Sequence, residues 1–370
     1  MVRAATIDMR SRAAIWEPAA WQTIVAWGRG QQPNASQMEQ LKAWTQRTQQ
    51  AAVWQLDDQA LSSALNSRGQ LLQTICAQWV ADALGLPMAG AWTDWIAPLW
   101  LFWLPLAQRI DQAQRLTGRP FVQGVLGVQG TGKTTLCRII RLILEELGQR
   151  AVGLSIDDLY LSCEARRELR KQDARLIWRG PPGTHDVPLG LEVLSAVQRD
   201  HPAQSIALPR FDKSAYGGQG DRTTPIIVKA PTVVLFEGWF IGTEPLPATT
   251  MSAPDFSFPD PICTEADRQF ARDCNQRLSD YLPLWSLLDS LIVLQPQDYR
   301  FSVQWRQAAE RQMMATGKDG LSEAQIAEFV QYFWKALHPE LFITPLTLSK
   351  RTSLVVNICH NHQLDSLYLP

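Results

Sequence analysis

Gly127-Val128-Gln129-Gly130-Thr131-Gly132-Lys133-Thr134 fits the pattern G-x-x-x-x-G-K-[ST] in full, and its flanks decide the fold. An apolar, β-leaning stretch, Phe121 to Val128, precedes it. Leu136-Cys137-Arg138-Ile139-Ile140-Arg141-Leu142-Ile143-Leu144 follows, apolar at helical spacing and free of Gly and Pro. Strand, glycine loop and helix in that order form the context in which this pattern holds phosphate. Glycines let backbone N–H groups turn inward where a Cβ would clash, and the helix N-terminus adds partial positive charge. On this reading Gly127, Gln129, Gly130, Thr131, Gly132, Lys133, Thr134 and Thr135 surround a nucleotide's phosphates. Lys133 reaches the β- and γ-phosphates, and the Thr134 hydroxyl ligates Mg²⁺. ATP and Mg²⁺ are the expected cofactors.

From Arg119-Pro120 onward, strands and helices alternate. Strands are expected at 121–128, 151–156, 205–208, 232–236 and 290–294, with a last one at 353–358. Helices are expected at 133–147, 189–198, 273–288, 300–314 and 321–337. Such alternation implies an α/β fold with a mostly parallel sheet covered by helices, whose ligands bind at the carboxyl ends of strands. Residues 243–267, rich in Pro, Ser and Thr, read as a long loop or insertion, and 298–337 as a helical lid region. Upstream, apolar residues recur near i, i+3, i+4 spacing over 16–27, 36–50, 56–65 and 71–84. Breaks are expected at Gly28-Arg29-Gly30, Ser67-Arg68-Gly69 and Gly90. The chain therefore divides into an N-terminal all-helical region, 1–115, with no nameable chemistry, and a P-loop domain, 116–370. The many tryptophans of the helical part read as packing.

With 370 residues, 46% of them hydrophobic, the chain can bury a large core. A net charge of −1 supplies no basic field for nucleic acid. The most apolar window, Ile96 to Ala107, is too short to span a bilayer and holds two prolines, so it reads as a buried helix rather than a membrane segment. Six cysteines without C-x-x-C or zinc spacing read as reduced thiols in a cytoplasmic protein. Met1 to Ile15, with Arg3, Arg10 and Arg12, is at most a weak transit segment.

Four clusters fall near predicted strand ends or in the loops between them. Asp157-Asp158, after Ser155-Ile156, can serve Mg²⁺ or take a proton from a hydroxyl nucleophile; helix capping is the competing use. Arg179-Gly180-Pro181-Pro182-Gly183-Thr184-His185-Asp186 is a stiff turn concentrating the polar groups of Arg179, Thr184, His185 and Asp186, as a small polar substrate needs, or an ordinary surface turn. Pro209-Arg210-Phe211-Asp212-Lys213-Ser214 with Gly220-Asp221-Arg222 offers Arg210, Lys213 and Arg222 to an anion, or is a solvated hairpin with surface ion pairs. Val233-Val234-Leu235-Phe236-Glu237 resembles a Walker B strand, with Glu237 placed to hold Mg²⁺. Late in the chain, Arg306 and Arg311 lie on a predicted helix from which a lid can reach bound nucleotide.

Together these runs resemble the P-loop kinases of small hydroxyl compounds, the group of phosphoribulokinase, uridine kinase and pantothenate kinase, and within it plant-type D-glycerate 3-kinase. The resemblance rests on the loop at 127–136, S-I-D-D-L-Y (155–160), R-G-P-P-G-T-H-D (179–186), P-R-F-D-K-S (209–214), G-D-R (220–222), L-F-E-G-W (235–239) and W-R-x-x-x-E (305–310). Leu159 departs from the group, which often has Phe there. The resemblance implies ATP-dependent phosphorylation of D-glycerate to 3-phosphoglycerate, in photorespiratory or related metabolism. It further implies that Asp157 is the base and Asp158 a supporting carboxylate. The residues alone reach only ATP-dependent transfer to a small anionic or hydroxyl acceptor. A uridine or pantothenate acceptor stays open, as does an ATP-binding regulator or assembly factor with no small-molecule acceptor. The sequence is silent on oligomeric state.

Overall fold

The computed structural model of the chain describes residues 5–9, 17–80, 92–199, 205–315 and 322–370. Most of the Met1 to Ile15 segment, the expected break at Gly90, and the helix ends at 16, 81–84 and 321 lie outside them. Short turns aside, the elements are β1 (Thr6–Asp8), α1 (Pro18–Gly28), α2 (Ala35–Arg47), α3 (Asp58–Val80), α4 (Leu104–Thr117), β2 (Phe121–Gly127), α5 (Lys133–Glu146), β3 (Ala151–Ser155), α6 (Cys163–Gln172), α7 (Val187–Gln198), β4 (Ser205–Asp212), β5 (Asp221–Lys229), β6 (Val233–Gly238), α8 (Glu265–Arg277), β7 (Ser290–Pro296), α9 (Phe301–Met314), α10 (Glu323–Ala336), β8 (Leu354–Ile358) and β9 (Leu364–Tyr368).

Seven strands form one sheet in the order β1-β9-β8-β7-β2-β6-β3. The five from β8 to β3 are parallel, and at one edge β9 runs opposite to them, paired antiparallel with both β8 and the outermost β1. Every residue of the central strands β2 and β6 is buried, as helices on both faces demand. This is the expected α/β fold with a mostly parallel sheet. The shared direction brings the carboxyl ends of β2, β3, β6, β7 and β8 to one edge, where Ser155, Glu237 and the end of β2 stand side by side.

Several expectations need correction. The strand at 354–358 is not the last, since β9 follows after a short turn and takes up its edge. The strand expected at 205–208 is longer and leaves the main sheet. With β5 it forms a separate antiparallel hairpin, and β5 is almost wholly solvent-facing, which a strand in the covered sheet could not be. The N-terminal region is not all-helical, because Thr6–Asp8 pairs with β9 as the outermost strand; three residues are too few to show a period. Gly69 breaks no helix, as α3 runs through it. The helix expected at 273–288 starts at Glu265, where Thr264 and Asp267 form a capping box. Charged α6, capped by Ser162, has no apolar stripe to announce it.

The apolar window at 96–107 is a buried, partly π-helical run leading into α4. No helix of the described residues is long and apolar enough to cross a membrane. Trp21, Trp27, Trp44, Trp54, Trp100 and Trp103 are buried in a core continuous with the sheet, so they are packing residues.

Candidate nucleotide and acceptor site

The phosphate loop joins β2 to α5. Gly130 and Gly132 both adopt left-handed φ, +82° and +85°, so the loop's two inner glycines meet a conformational need. Gly127 is required sterically, since a Cβ there would stand 2.6 Å from Thr131 Oγ1. Three donors converge on the Val128 carbonyl: the Thr131 hydroxyl at 2.8 Å, the Lys133 ammonium at 3.1 Å and the Thr131 N–H at 3.4 Å. Burial lowers the Lys133 pKa, and the charges of Glu237 and Asp157 oppose that shift. The Thr134 hydroxyl donates to Glu237 Oε1 at 2.8 Å, and Glu237 is buried at the end of β6. The Gln129 amide nitrogen is buried without a partner among the described residues.

Ser155 starts a short 3₁₀ turn after β3 and forms a capping box with Asp158, whose carboxylate accepts the Ser155 N–H at 3.0 Å and Arg210 Nη1 at 3.2 Å. Burial raises the Asp158 pKa. Asp157 points elsewhere and accepts the Lys213 ammonium at 2.5 Å. Burial pushes its pKa up, but the charge and hydrogen bonds of Lys213 and the Tyr160 hydroxyl outweigh that and leave it lowered. The acidic pair thus divides: Asp158 caps and anchors, while Asp157 faces the lysines.

The Gly-Pro-Pro-Gly turn lies against this pair, with Tyr160 and His185 paired as an isolated bridge and their rings stacked at 4.6 Å. His185 is buried; its Nδ1 meets the Tyr281 hydroxyl at 2.9 Å and its Nε2 has no partner among the described residues. Burial pushes its pKa down to about 3. Arg179 donates to the Gly218 and Gln219 carbonyls, both at 2.8 Å, and lies over the Tyr160 and Phe211 rings.

Other residues named from sequence are occupied within the fold. Thr184 is buried and closes its own turn through Gly180 N–H and the Pro181 carbonyl. Asp186 caps α7 and accepts Arg222 at 2.7 Å. Arg306 pairs with Glu310 at 3.1 Å and lies over Phe329, and Arg311 pairs with Glu323 at 3.0 Å. Both lid arginines thus turn along α9 and toward α10. What α9 does bring to the loop is Trp305, packed so closely that a Cβ on Gly130 would fall 2.6 Å from its own Cβ. Sequence reasoning passed over Trp305, Tyr160, Tyr281 and His362. Trp305 stood inside a quoted motif, but an aromatic on a helix reads as core.

Comparison with known proteins fits this geometry. No family model matches the chain. It is 33% identical over 235 residues to the chloroplastic D-glycerate 3-kinase of Arabidopsis thaliana, a match covering 60% of this chain and 49% of that protein. The chain thus matches about half the length of that relative. It is 32% identical over 240 residues to an uncharacterized kinase of Schizosaccharomyces pombe, covering 60% of this chain and 82% of that protein. Among solved structures, D-glycerate 3-kinase from Cryptococcus neoformans superposes with a TM-score of 0.62 at 26% identity, covering 72% of this chain and 99% of that one. By these matches and the loop that carries them, the chain belongs to the family of P-loop kinases that includes D-glycerate 3-kinase.

Proposed function

We propose that the protein transfers the γ-phosphoryl group of ATP to D-glycerate, in line, giving 3-phosphoglycerate. One observation carries the reading: Asp157, held ionised by Lys213, stands within electrostatic reach of the phosphate-loop Lys133. A base, a phosphate-binding cation and a second cation at one point suit an acceptor that offers a hydroxyl and carries negative charge. The names of the relatives supply D-glycerate as that acceptor.

Thr134 and Glu237 fit Mg²⁺. They present hard oxygen donors 2.8 Å apart, and the described residues hold no cluster of three metal-binding side chains. That pattern suits a cation completed by water and phosphate oxygens rather than a protein cage. When bound, it would neutralise charge on the β- and γ-phosphates. Lys133 would leave the Val128 carbonyl for the transferring group, and Asp157 would take the proton of the attacking hydroxyl. Arg210 and Arg222 are already ion-paired, whereas Arg179, among the described residues, bonds to neutral carbonyls. Arg179 therefore gives up least in turning to the acceptor carboxylate, and we assign that contact to it.

A coupled ADP-release assay with D-glycerate, glycerol, uridine and pantothenate tests the reading. D-glycerate should be the best acceptor and glycerol, without the carboxylate, a poor one. Faster turnover of uridine or pantothenate would move the protein to another acceptor class. No acceptor-stimulated ADP release at all would favour an ATP-binding regulator.

A further inference from the structure

His362 lies in the turn between β8 and β9, 232 residues from the loop it touches. Its Nε2 is 2.8 Å from the Gly130 carbonyl, so the imidazole donates and Nε2 carries the proton. The ring stacks on Trp305 with centroids 4.5 Å apart and planes 30° apart. Trp305 Nε1 in turn donates to the His360 carbonyl at 2.7 Å, tying the same turn to α9. His362 has φ +63°, a left-handed backbone that a non-glycine residue adopts only when its surroundings hold it there. A strained residue, a stacked indole and a hydrogen bond to the phosphate loop thus coincide at one point. Parallel β8 and β2 bring their carboxyl ends to the same edge, which lets the turn reach the loop.

The bond matters because of the peptide it holds. The Gly130 carbonyl and the Thr131 N–H belong to one trans peptide and point to opposite sides. Holding the carbonyl toward His362 turns the Thr131 N–H to the loop's inner side. Its partner there, the Val128 carbonyl, is a distant 3.4 Å away. Gly130, with no Cβ, resists rotation of that peptide little by itself. A flipped peptide would point a carbonyl at the phosphates.

We infer that His362 is a positioning residue that, with Trp305, locks the Gly130–Thr131 peptide in its phosphate-receptive orientation, so that the C-terminal hairpin helps set nucleotide affinity. The apparent dissociation constant rises in inverse proportion to the fraction of molecules in the competent state. The inference rests on the phosphate-loop reading but not on the identity of the acceptor, so nucleotide binding without acceptor tests it separately.

The experiment is calorimetric titration of the full chain with MgADP and MgATP, with circular dichroism melting as the control for folding. His362→Phe keeps a ring to stack on Trp305 and loses the donor, and should weaken nucleotide binding about tenfold, the effect of a tenfold smaller competent fraction. His362→Gln restores a donor and should bind within about threefold of wild type. With a working acceptor, the loss in the Phe variant should appear mainly in KM for ATP rather than in kcat. Wild-type affinity in a folded His362→Phe protein would overturn the inference. So would a Gln variant as weak as the Phe variant, since the donor would then not be what matters.

Discussion

At the level of single residues, the site separates adjacent carboxylates by what each faces. Asp158 is consumed by the Ser155 N–H and Arg210, whereas Asp157 faces Lys213. Asp157→Asn should therefore lower kcat by about 10²–10⁴ with little change in ATP affinity, the range for loss of a general base. Asp158→Asn should act mainly on stability. Single-turnover kinetics beside denaturant melts check the pair; a larger kcat loss at Asp158 would reverse the assignment. His185 gives a second, thermodynamic signature. Buried, it titrates near 3 in the folded protein, while the unfolded chain protonates it near its ordinary value. Below about pH 6.5 the unfolded state binds a proton that the folded state refuses, so the folded state loses stability as pH falls from there toward 3. Urea melts between pH 6 and 4 should show wild type losing about 1.4 kcal/mol per pH unit more than His185→Phe. Parallel slopes would mean that the imidazole is hydrated or paired in solution.

At the level of elements, the hairpin β4–β5 is fastened to the site by arginines rather than by sheet pairing. Arg179 takes the Gly218 and Gln219 carbonyls, and Arg166 takes the Gln219 and Gly220 carbonyls. Arg179 reaches both carbonyls through Nη1 alone, and lysine cannot offer the planar, two-pronged fork that the proposed contact with a carboxylate would use. Arg179→Lys should therefore raise KM for D-glycerate by a large factor, roughly the 2–5 kcal/mol of a broken desolvated charge contact at most. ATP affinity measured without acceptor should stay within about twofold. It should also speed proteolysis at 215–220, and an unchanged KM would remove Arg179 from the acceptor contact. The same elements show what the sequence could and could not tell. The phosphate loop and its flanking strand and helix were legible because their chemistry is local: glycine spacing, one lysine, an apolar period. Glu237 was legible as the end of an apolar strand. The pairing of the 205–212 segment was not, because a short alternating strand carries no mark of which sheet it joins. Nor was the contact of His362 with Gly130, since nothing near 362 in sequence resembles a nucleotide site and only the parallel register of β2, β7 and β8 brings it there.

At the level of the whole molecule, the N-terminal helices share one core with the sheet, and Gly69 shows how closely they fit. A Cβ on Gly69 in α3 would lie 2.1 Å from two carbons of the Trp27 indole on α1. Two effects compete in Gly69→Ala. Alanine favours a helix interior by about 0.5–1 kcal/mol over glycine. Forcing extra volume into a packed core costs about 1–3 kcal/mol, and a contact that short against a rigid, buried ring belongs at the upper end. Sterics should win, leaving the variant about 2 kcal/mol less stable in a urea melt, with kcat per folded molecule unchanged because neither residue touches the loop. A second substitution separates the causes. In a Trp27→Leu background the indole is gone, and Gly69→Ala should become neutral or stabilising, the non-additivity expected of residues in contact. If Gly69→Ala costs the same in both backgrounds, the glycine serves the helix backbone rather than the tryptophan, and the close approach of α1 to α3 is not what this position encodes.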